Sequence, residues 1–308
     1  MYRSLVIGLG TQGYKRKLHA GCGYVGSVDT VNPEADFKNI EDVPLKDYDI
    51  GLVCTPDNTN YQIIKFLLNN KKHVLVEKPF MPNNLENIKE IEKISNKNKV
   101  VFYTAYNHRF EPHFIKMKNL IESRKLGKLY YCRMFYGNGT ARQVKNSKWK
   151  DKGSGVLTDL GSHLLDTCQF WFKEKVGEFQ IQSNSSFENK SADHIILKSK
   201  CSELLIQLEI TLCMWRNHFT CDILAEKGSA HISSLCKWGP SKFSFRERVL
   251  PSGVPIENTT VIRSPDPTWS NEYQYFLNLI DQKQKNNLDT DIWLYNVMKN
   301  LEKEMFNE

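Results

Sequence analysis

The feature that most constrains this chain is a set of three glycines, Gly8, Gly10 and Gly13, in "LVIGLGTQGYKRKLHA". They fall between an apolar, strand-like run and a helix-like segment. Glycine loses more conformational freedom on folding than any other residue, so three at this spacing need a reason. One is a plain turn. The other is a loop whose backbone must touch a bulky anion. The context supports the second, because the GxGxxG form follows a predicted strand, opens a predicted helix and heads a βαβ unit. There the first glycine permits the tight turn, the second lets backbone approach a pyrophosphate, and the third lets the helix pack close to its strand. The helix N-terminus adds free N–H groups and a partial positive charge. The loop residues expected to hold the dinucleotide are Gly8, Gly10, Thr11, Gln12 and Gly13.

At the end of the next strand, "GSVD", stands Asp29. An acid there accepts hydrogen bonds from a ribose 2′-OH and repels a 2′-phosphate, which favours NAD over NADP. The bland alternative is a turn residue. The cluster Lys15, Arg16 and Lys17 keeps NADP open, although on a short helix it also reads as a solvated face.

The first third of the chain alternates apolar strands ("SLVIGLG", "YVGSVD", "DIGLVCT", "HVLVEKP", "KVVFYTAY") with helical segments. "NLENIKEIEKISNKN" puts Leu85, Ile88, Ile91 and Ile94 on one face. That grammar predicts a doubly wound parallel sheet. After about residue 110, longer strand-like runs follow one another from about 176 to 262 with no long helix between them, which predicts a mostly antiparallel sheet. Residues 269–308 read as helices. The expected fold class is α/β: a dinucleotide-binding Rossmann domain over 1–110, then an α+β domain over 111–308 for substrate and oligomerisation, its C-terminal helices included.

The chain has 308 residues, 40% hydrophobic and 25% charged, and a net charge of +7. The composition is that of a folded globular protein. Basic and acidic residues are interspersed, so no nucleic-acid stripe is expected. Cys22, Cys54, Cys132, Cys168, Cys201, Cys213, Cys221 and Cys236 form no CxxC pair and read as scattered reduced thiols. No metal site is expected. No run of eighteen apolar residues and no leader-like N-terminus is present, so the expectation is a cytoplasmic chain without a membrane span.

Three further motifs carry chemistry. "VLVEKPF" ends a strand with Glu77-Lys78-Pro79, where ligands of an open α/β sheet sit. "GSGVLTDLGSHLLD" supplies Asp159, His163 and Asp166, with Asp159 and His163 four apart on one helix. An Asp–His pair can hold a substrate hydroxyl and take its proton; the alternatives are a surface-charge pattern or a metal pair. "AYNHRFEP" carries Asn107, His108 and Arg109 where the chain leaves the first domain, either as cleft residues or as an ordinary hinge. "TARQVKNSKWKDKGSG" places Arg142, Lys145, Lys148, Lys150 and Lys152 ahead of the Asp–His helix, to meet an anionic group on a substrate or to form a solvated loop.

Taken in order and spacing, GLGTQG, "TPD" at 55–57, "KHVLVEKPF", "NHRFEP", "LGKLYY" and "GSGVLTDLGSHLLD" resemble the glucose–fructose oxidoreductase / inositol dehydrogenase / MocA (Gfo/Idh/MocA) family over residues 1 to about 172. The resemblance implies a nicotinamide cofactor touched also by Thr55, Pro56, Glu77 and Lys78. It implies a sugar, cyclitol or related polyol as substrate, extended here to a nucleotide-sugar. Lys78, Asp159 and His163 become the catalytic group, and Asn107, Arg109 and Arg142 join Asp159 and His163 around the substrate. The family's open sheet commonly builds dimers or tetramers, so a homodimer or homotetramer is expected. The chain departs from the family pattern at "DNTNY" after the Thr-Pro and at Gly-Ser-Gly in place of three glycines. The reaction expected is hydride transfer between a secondary alcohol and NAD(P). Rivals are a redox-neutral lyase or hydrolase that uses bound NAD transiently, and a non-catalytic cofactor-binding regulator.

Overall fold

The computed structural model describes residues 1–147, 151–173, 176–200 and 203–306; Lys148, Lys150 and Cys201 lie outside the described residues. The chain divides into two units, Met1–Asn107 with Trp269–Tyr295, and His108–Thr268 with Asn296–Glu308.

The first unit is built on five parallel strands, β1 (Ser4–Ile7), β2 (Tyr24–Val28), β3 (Ile50–Val53), β4 (His73–Glu77) and β5 (Phe102–Ala105), in the order β2-β1-β3-β4-β5. All four residues of β1, β3 and β5 are buried, as continuous apolar runs covered on both faces require. Ile7 is in register with Val28 and Val53, Val53 with Val76, and Val76 with Thr104. The carboxyl ends of all five strands are therefore level. Gly8, Asp29, Thr55, Lys78 and Tyr106 emerge along one edge of this sheet. The order reverses at β1, and a sheet of this kind takes its ligand beside that reversal.

Three crossover helices follow β1, β3 and β4: α1 (Thr11–Ala20), α2 (Asp57–Asn69) and α3 (Leu85–Asn98). Helix α3 starts where the Asn84 side chain accepts the Asn87 N–H at 3.0 Å and stops at Lys99 in the left-handed region. Its stripe is as expected: Ile88 and Ile91 are buried, with Leu85 and Ile94 packed around them. Between β2 and β3 there are only short 3-10 turns at Ile40–Asp42 and Leu45–Asp47.

The second unit carries α4 (Pro112–Glu122), β6 (Leu129–Gly137), α5 (Ala141–Lys145) and α6 (Ser162–Phe172), then β7 (Phe179–Ser185), β8 (His194–Ser199), β9 (Leu205–Thr211), β10 (His218–Ala225), β11 (Gly228–Ser233), β12 (Ser241–Val249) and β13 (Gly253–Ile262). Its eight strands run in the order β13-β12-β11-β10-β6-β9-β8-β7. Only β6 and β9 pair in parallel, so the sheet is mostly antiparallel as expected. Cys132, Met134 and Tyr136 of β6 are buried and alternate with residues on the other face; Tyr136 meets Phe219 of β10, which packs on Phe114 of α4, and Phe114 meets Trp171 of α6. The Trp171 indole donates to the Phe114 carbonyl at 3.0 Å. Strand β13 has little apolar pattern, because Gly253–Glu257 pair with β12 although their side chains are exposed.

Helices α7 (Thr268–Asp281) and α8 (Asp289–Phe306) end the described chain. Residues 269–295 belong to the first unit, not to the second domain where the sequence reading placed them. The reason is packing. Tyr273, Phe276 and Ile280 bury against Val6, Leu52, Leu75 and Tyr103, beside Ala20 of α1, on the sheet face opposite α2, α3 and the β2–β3 connection. Leu288 and Tyr295 join the core on the opposite face.

Candidate active site

In the first unit the glycine loop has the geometry its spacing implies. Gly8 lies at φ +92°, and a Cβ there would fall 2.8 Å from the Cys54 carbonyl. At Gly13 a Cβ would fall 2.0 Å from the Gly8 oxygen. These two glycines are dictated by the fold. Gly10 is different, since a Cβ there would meet nothing within 4 Å. The chain leaves that space open in front of the N-terminus of α1, which has no side-chain cap. Unmet N–H groups around free space are what a pyrophosphate needs, and the residues present fit such a group. Thr11 and Gln12 are exposed beside them.

Asp29 ends β2 and turns back onto this loop. One carboxylate oxygen accepts the Leu9 N–H at 2.7 Å, and the other accepts the Val31 and Asn32 N–H groups at 2.8 Å each. Partial burial works against its charge, but the three backbone donors outweigh that and hold the carboxyl below its usual range. Asp29 thus has the turn role as well as a position beside the loop. Thr55 stands half-buried after β3, with its hydroxyl bonded to the Asn60 side chain, and Pro56 precedes α2.

Arg16 is not on a solvated face. It is 1% exposed, its Nε donates to Glu77 at 2.6 Å, and its Nη1 lies 2.8 Å from Glu272. Its guanidinium also lies 4.4 Å from the Trp269 ring centre. Burial pulls against the charge, and Glu77 and Glu272 more than restore it. Arg16 is thereby removed from any part in recognising a 2′-phosphate, and Glu77 is tied to α1 and α7. Lys78, the next residue, is half-buried and joined to Pro79 by a cis peptide.

In the second unit a cluster forms around two imidazoles. His108 sits in the 3-10 turn Asn107–Phe110, and His163 in the first turn of α6. Both are buried, and their rings stack with centres 4.0 Å apart and planes 18° apart. Asp159 lies just upstream in a π-helical turn, Leu157–Gly161, and is exposed. Such turns recur at functional sites. Gly155 lets this segment in: it lies at φ +52°, and a Cβ would fall 2.2 Å from the Ala192 oxygen.

Behind the imidazoles is a lysine that the sequence reading did not single out. Lys237 Nζ donates to His108 Nε2 at 3.2 Å and to the Tyr136 hydroxyl at 3.4 Å. It lies 4.8 Å from the Trp238 ring centre. Burial pushes its pKa down, while Asp266, Glu111, Cys236 and Asp159 pull the other way. Burial, and then the charge of Asp159, pushes the Tyr136 phenol up. The loop holding Lys237 is pinned by Glu111, whose buried carboxyl accepts the Cys236 N–H at 3.2 Å and the Cys236 thiol at 2.8 Å. Burial holds the Glu111 carboxyl above its usual range. No periodicity marks Lys237. "LCKWGP" reads as a turn, and only a lysine set between Cys and Trp hints at more.

The remaining predicted residues are dispersed. Asn107 is buried in the same 3-10 turn. Arg109 is spent on Asp166: its Nε donates at 2.9 and 3.2 Å, and its Nη2 also bonds that buried carboxylate. Arg142 of α5 is exposed, with Glu188 3.9 Å away. It therefore stands as a solvated side chain in its unit. Among the described residues no group of three His, Cys, Asp or Glu is placed to hold a metal, and no helix is long and apolar enough to cross a membrane.

Residues 6–106 match the family described as "Oxidoreductase family, NAD-binding Rossmann fold", and residues 114–231 match "GFO/IDH/MocA C-terminal domain". The chain belongs to the Gfo/Idh/MocA family. An uncharacterized oxidoreductase of Schizosaccharomyces pombe is 34% identical over 142 residues, covering 43% of this chain and 38% of that protein. The myo-inositol 2-dehydrogenase of Thermotoga maritima is 27% identical over 130 residues, covering 42% and 38%. These matches span well under half of each relative's length. A solved levoglucosan dehydrogenase in complex with NADH shares the fold at a TM-score of 0.81 and 16% identity, covering 99% of this chain and 97% of that one.

Proposed function

We propose that this chain is a dehydrogenase that oxidises a secondary alcohol of a sugar, cyclitol, nucleotide-sugar or related polyol with NAD, or runs the reverse reaction. The observation that carries the reading is Gly10. It is a glycine that the chain's own packing does not require, facing open space at an uncapped helix N-terminus. NAD is preferred to NADP because Asp29 sets a negative charge beside the loop and the buried Arg16 offers no cation there. When bound, the nicotinamide supplies the hydride acceptor.

The chain's residues handle the proton and the orientation. Lys78 Nζ donates a hydrogen bond to the reacting substrate oxygen. His163 accepts the hydroxyl proton at Nε2, since its Nδ1 is shut off from solvent. An imidazole can take up and return a proton at that nitrogen. Asp159 accepts from a neighbouring hydroxyl and fixes the ring face presented. The test is absorbance near 340 nm on adding NAD and a panel of sugars, cyclitols and nucleotide-sugars. His163→Ala and Lys78→Ala are each expected to lower turnover by about 10²–10⁴-fold. Either variant retaining most of the activity would sink these assignments.

A further inference from the structure

Lys237 is an ammonium set among neutral partners. The groups bonded to its Nζ are an imidazole nitrogen of His108 and the phenol of Tyr136, and the walls beside it are the rings of Tyr136 and Trp238. No carboxylate pairs with it among the described residues. The nearest acids are otherwise engaged: Glu111 holds the Cys236 N–H and thiol, and Asp266 accepts the Thr268 N–H at 2.9 Å. Asp159 is near enough to act on both Lys237 and Tyr136 through its field. A cation drawn out of water without a contacting counter-ion is costly. An arriving anion relieves that cost, and its charge-assisted bond is about twice as strong as a neutral one.

The location gives the anion its meaning. Lys237 bonds His108, whose ring lies flat on His163, the proposed proton acceptor. The aromatic rings of Tyr136 and Trp238, 5.7 Å apart, add an apolar wall of the kind that packs on the C–H face of a sugar ring. Of the cations that the sequence offered for an anionic substrate, Arg142, Lys145 and Lys152 are exposed side chains, and Lys148 and Lys150 lie outside the described residues. Lys237 is, among the described residues, a cation bonded directly to one of the two imidazoles.

We propose that Lys237 is a substrate-contacting residue that receives an anionic substituent, a carboxylate or a phosphate, carried by the polyol. The assignment rests on the dehydrogenase reading but is tested by binding, apart from turnover. Calorimetry would follow D-glucose, D-glucuronate, D-glucose 6-phosphate and inorganic phosphate titrated into the protein with and without saturating NAD, for wild type, Lys237→Met and Lys237→Arg. Wild type is expected to bind at least one of the sugar anions ten-fold or more tighter than glucose, and which one identifies carboxylate or phosphate as the source. Lys237→Met is expected to weaken the preferred anionic sugar at least ten-fold more than it weakens glucose, and Lys237→Arg to keep the preference. Lys237→Gln replaces Lys237→Met if the latter fails to fold by circular dichroism.

The assignment is overturned if wild type shows no preference for the anionic sugars. It is also overturned if Lys237→Met weakens the neutral and anionic sugars equally, which is the mark of a structural role. Failure of NAD to bind wild type overturns the dehydrogenase reading instead, and the titrations without NAD still decide the role of Lys237.

Discussion

A half-buried imidazole that accepts a hydrogen bond cannot take a second proton without turning an acceptor toward a donor. His73 is in that position. Its Nδ1 accepts the Val101 N–H at 2.9 Å, and burial pushes its pKa from 6.5 down to about 4. Protonation then favours the unfolded chain. The stability this group contributes is complete above pH 6.5 and is lost as pH falls toward 4, by about 1.4 kcal/mol per pH unit across that window. Urea denaturation at pH 7 and pH 5 measures the loss. His73→Gln retains an acceptor that does not titrate, and it is expected to flatten the dependence. At the same scale, the residues proposed to do chemistry stand in short motifs: Gly8–Gly13, Lys78, Asp159 and His163. Lys237 does not, because its place beside His108 comes from the turn after β11 and a sheet register that no local pattern encodes.

Among elements, Arg16 is the joint that ties α1 to the end of β4 and to α7. As one of three adjacent basic residues it read as surface, since charge alone does not say which side of a helix packs. Removing it takes away the guanidinium that lies 2.8 Å from Glu272, which is fully buried. Arg16→Met is therefore expected to destabilise the first unit by about 3–5 kcal/mol. Adding Glu272→Leu is expected to recover part of the loss, and denaturant melts of the two variants check it. Elements with one buried face, such as α3 and β6–β12, were legible from their periods. Strand β13 was legible only in part, because most of its side chains are exposed and edge pairing leaves no hydrophobic alternation to read.

For the molecule as a whole, the order β2-β1-β3-β4-β5 leaves one sheet face short of a crossover helix, and α7 fills the gap from the far end of the chain. The sequence reading split the chain once, near residue 110, because a local pattern cannot show that Tyr273, Phe276 and Ile280 belong against Val6 and Leu75. The return has a consequence for folding. A chain ending at residue 267 is expected to lose dinucleotide binding and cooperative unfolding of the first unit, since it exposes that face. Circular dichroism melts and NAD titration of the shortened chain check this, and a shortened chain that melts cooperatively and still binds NAD refutes it.

The most direct test of the account is NAD binding to Gly10→Val. Gly10 has φ −90° and ψ −164°, which valine adopts without strain, and its added side chain starts in space the chain does not use. The account predicts that wild type binds NAD, followed by tryptophan fluorescence, and that Gly10→Val melts at the wild-type temperature but binds at least 100-fold more weakly. Equal binding by both, or no binding by wild type, contradicts it.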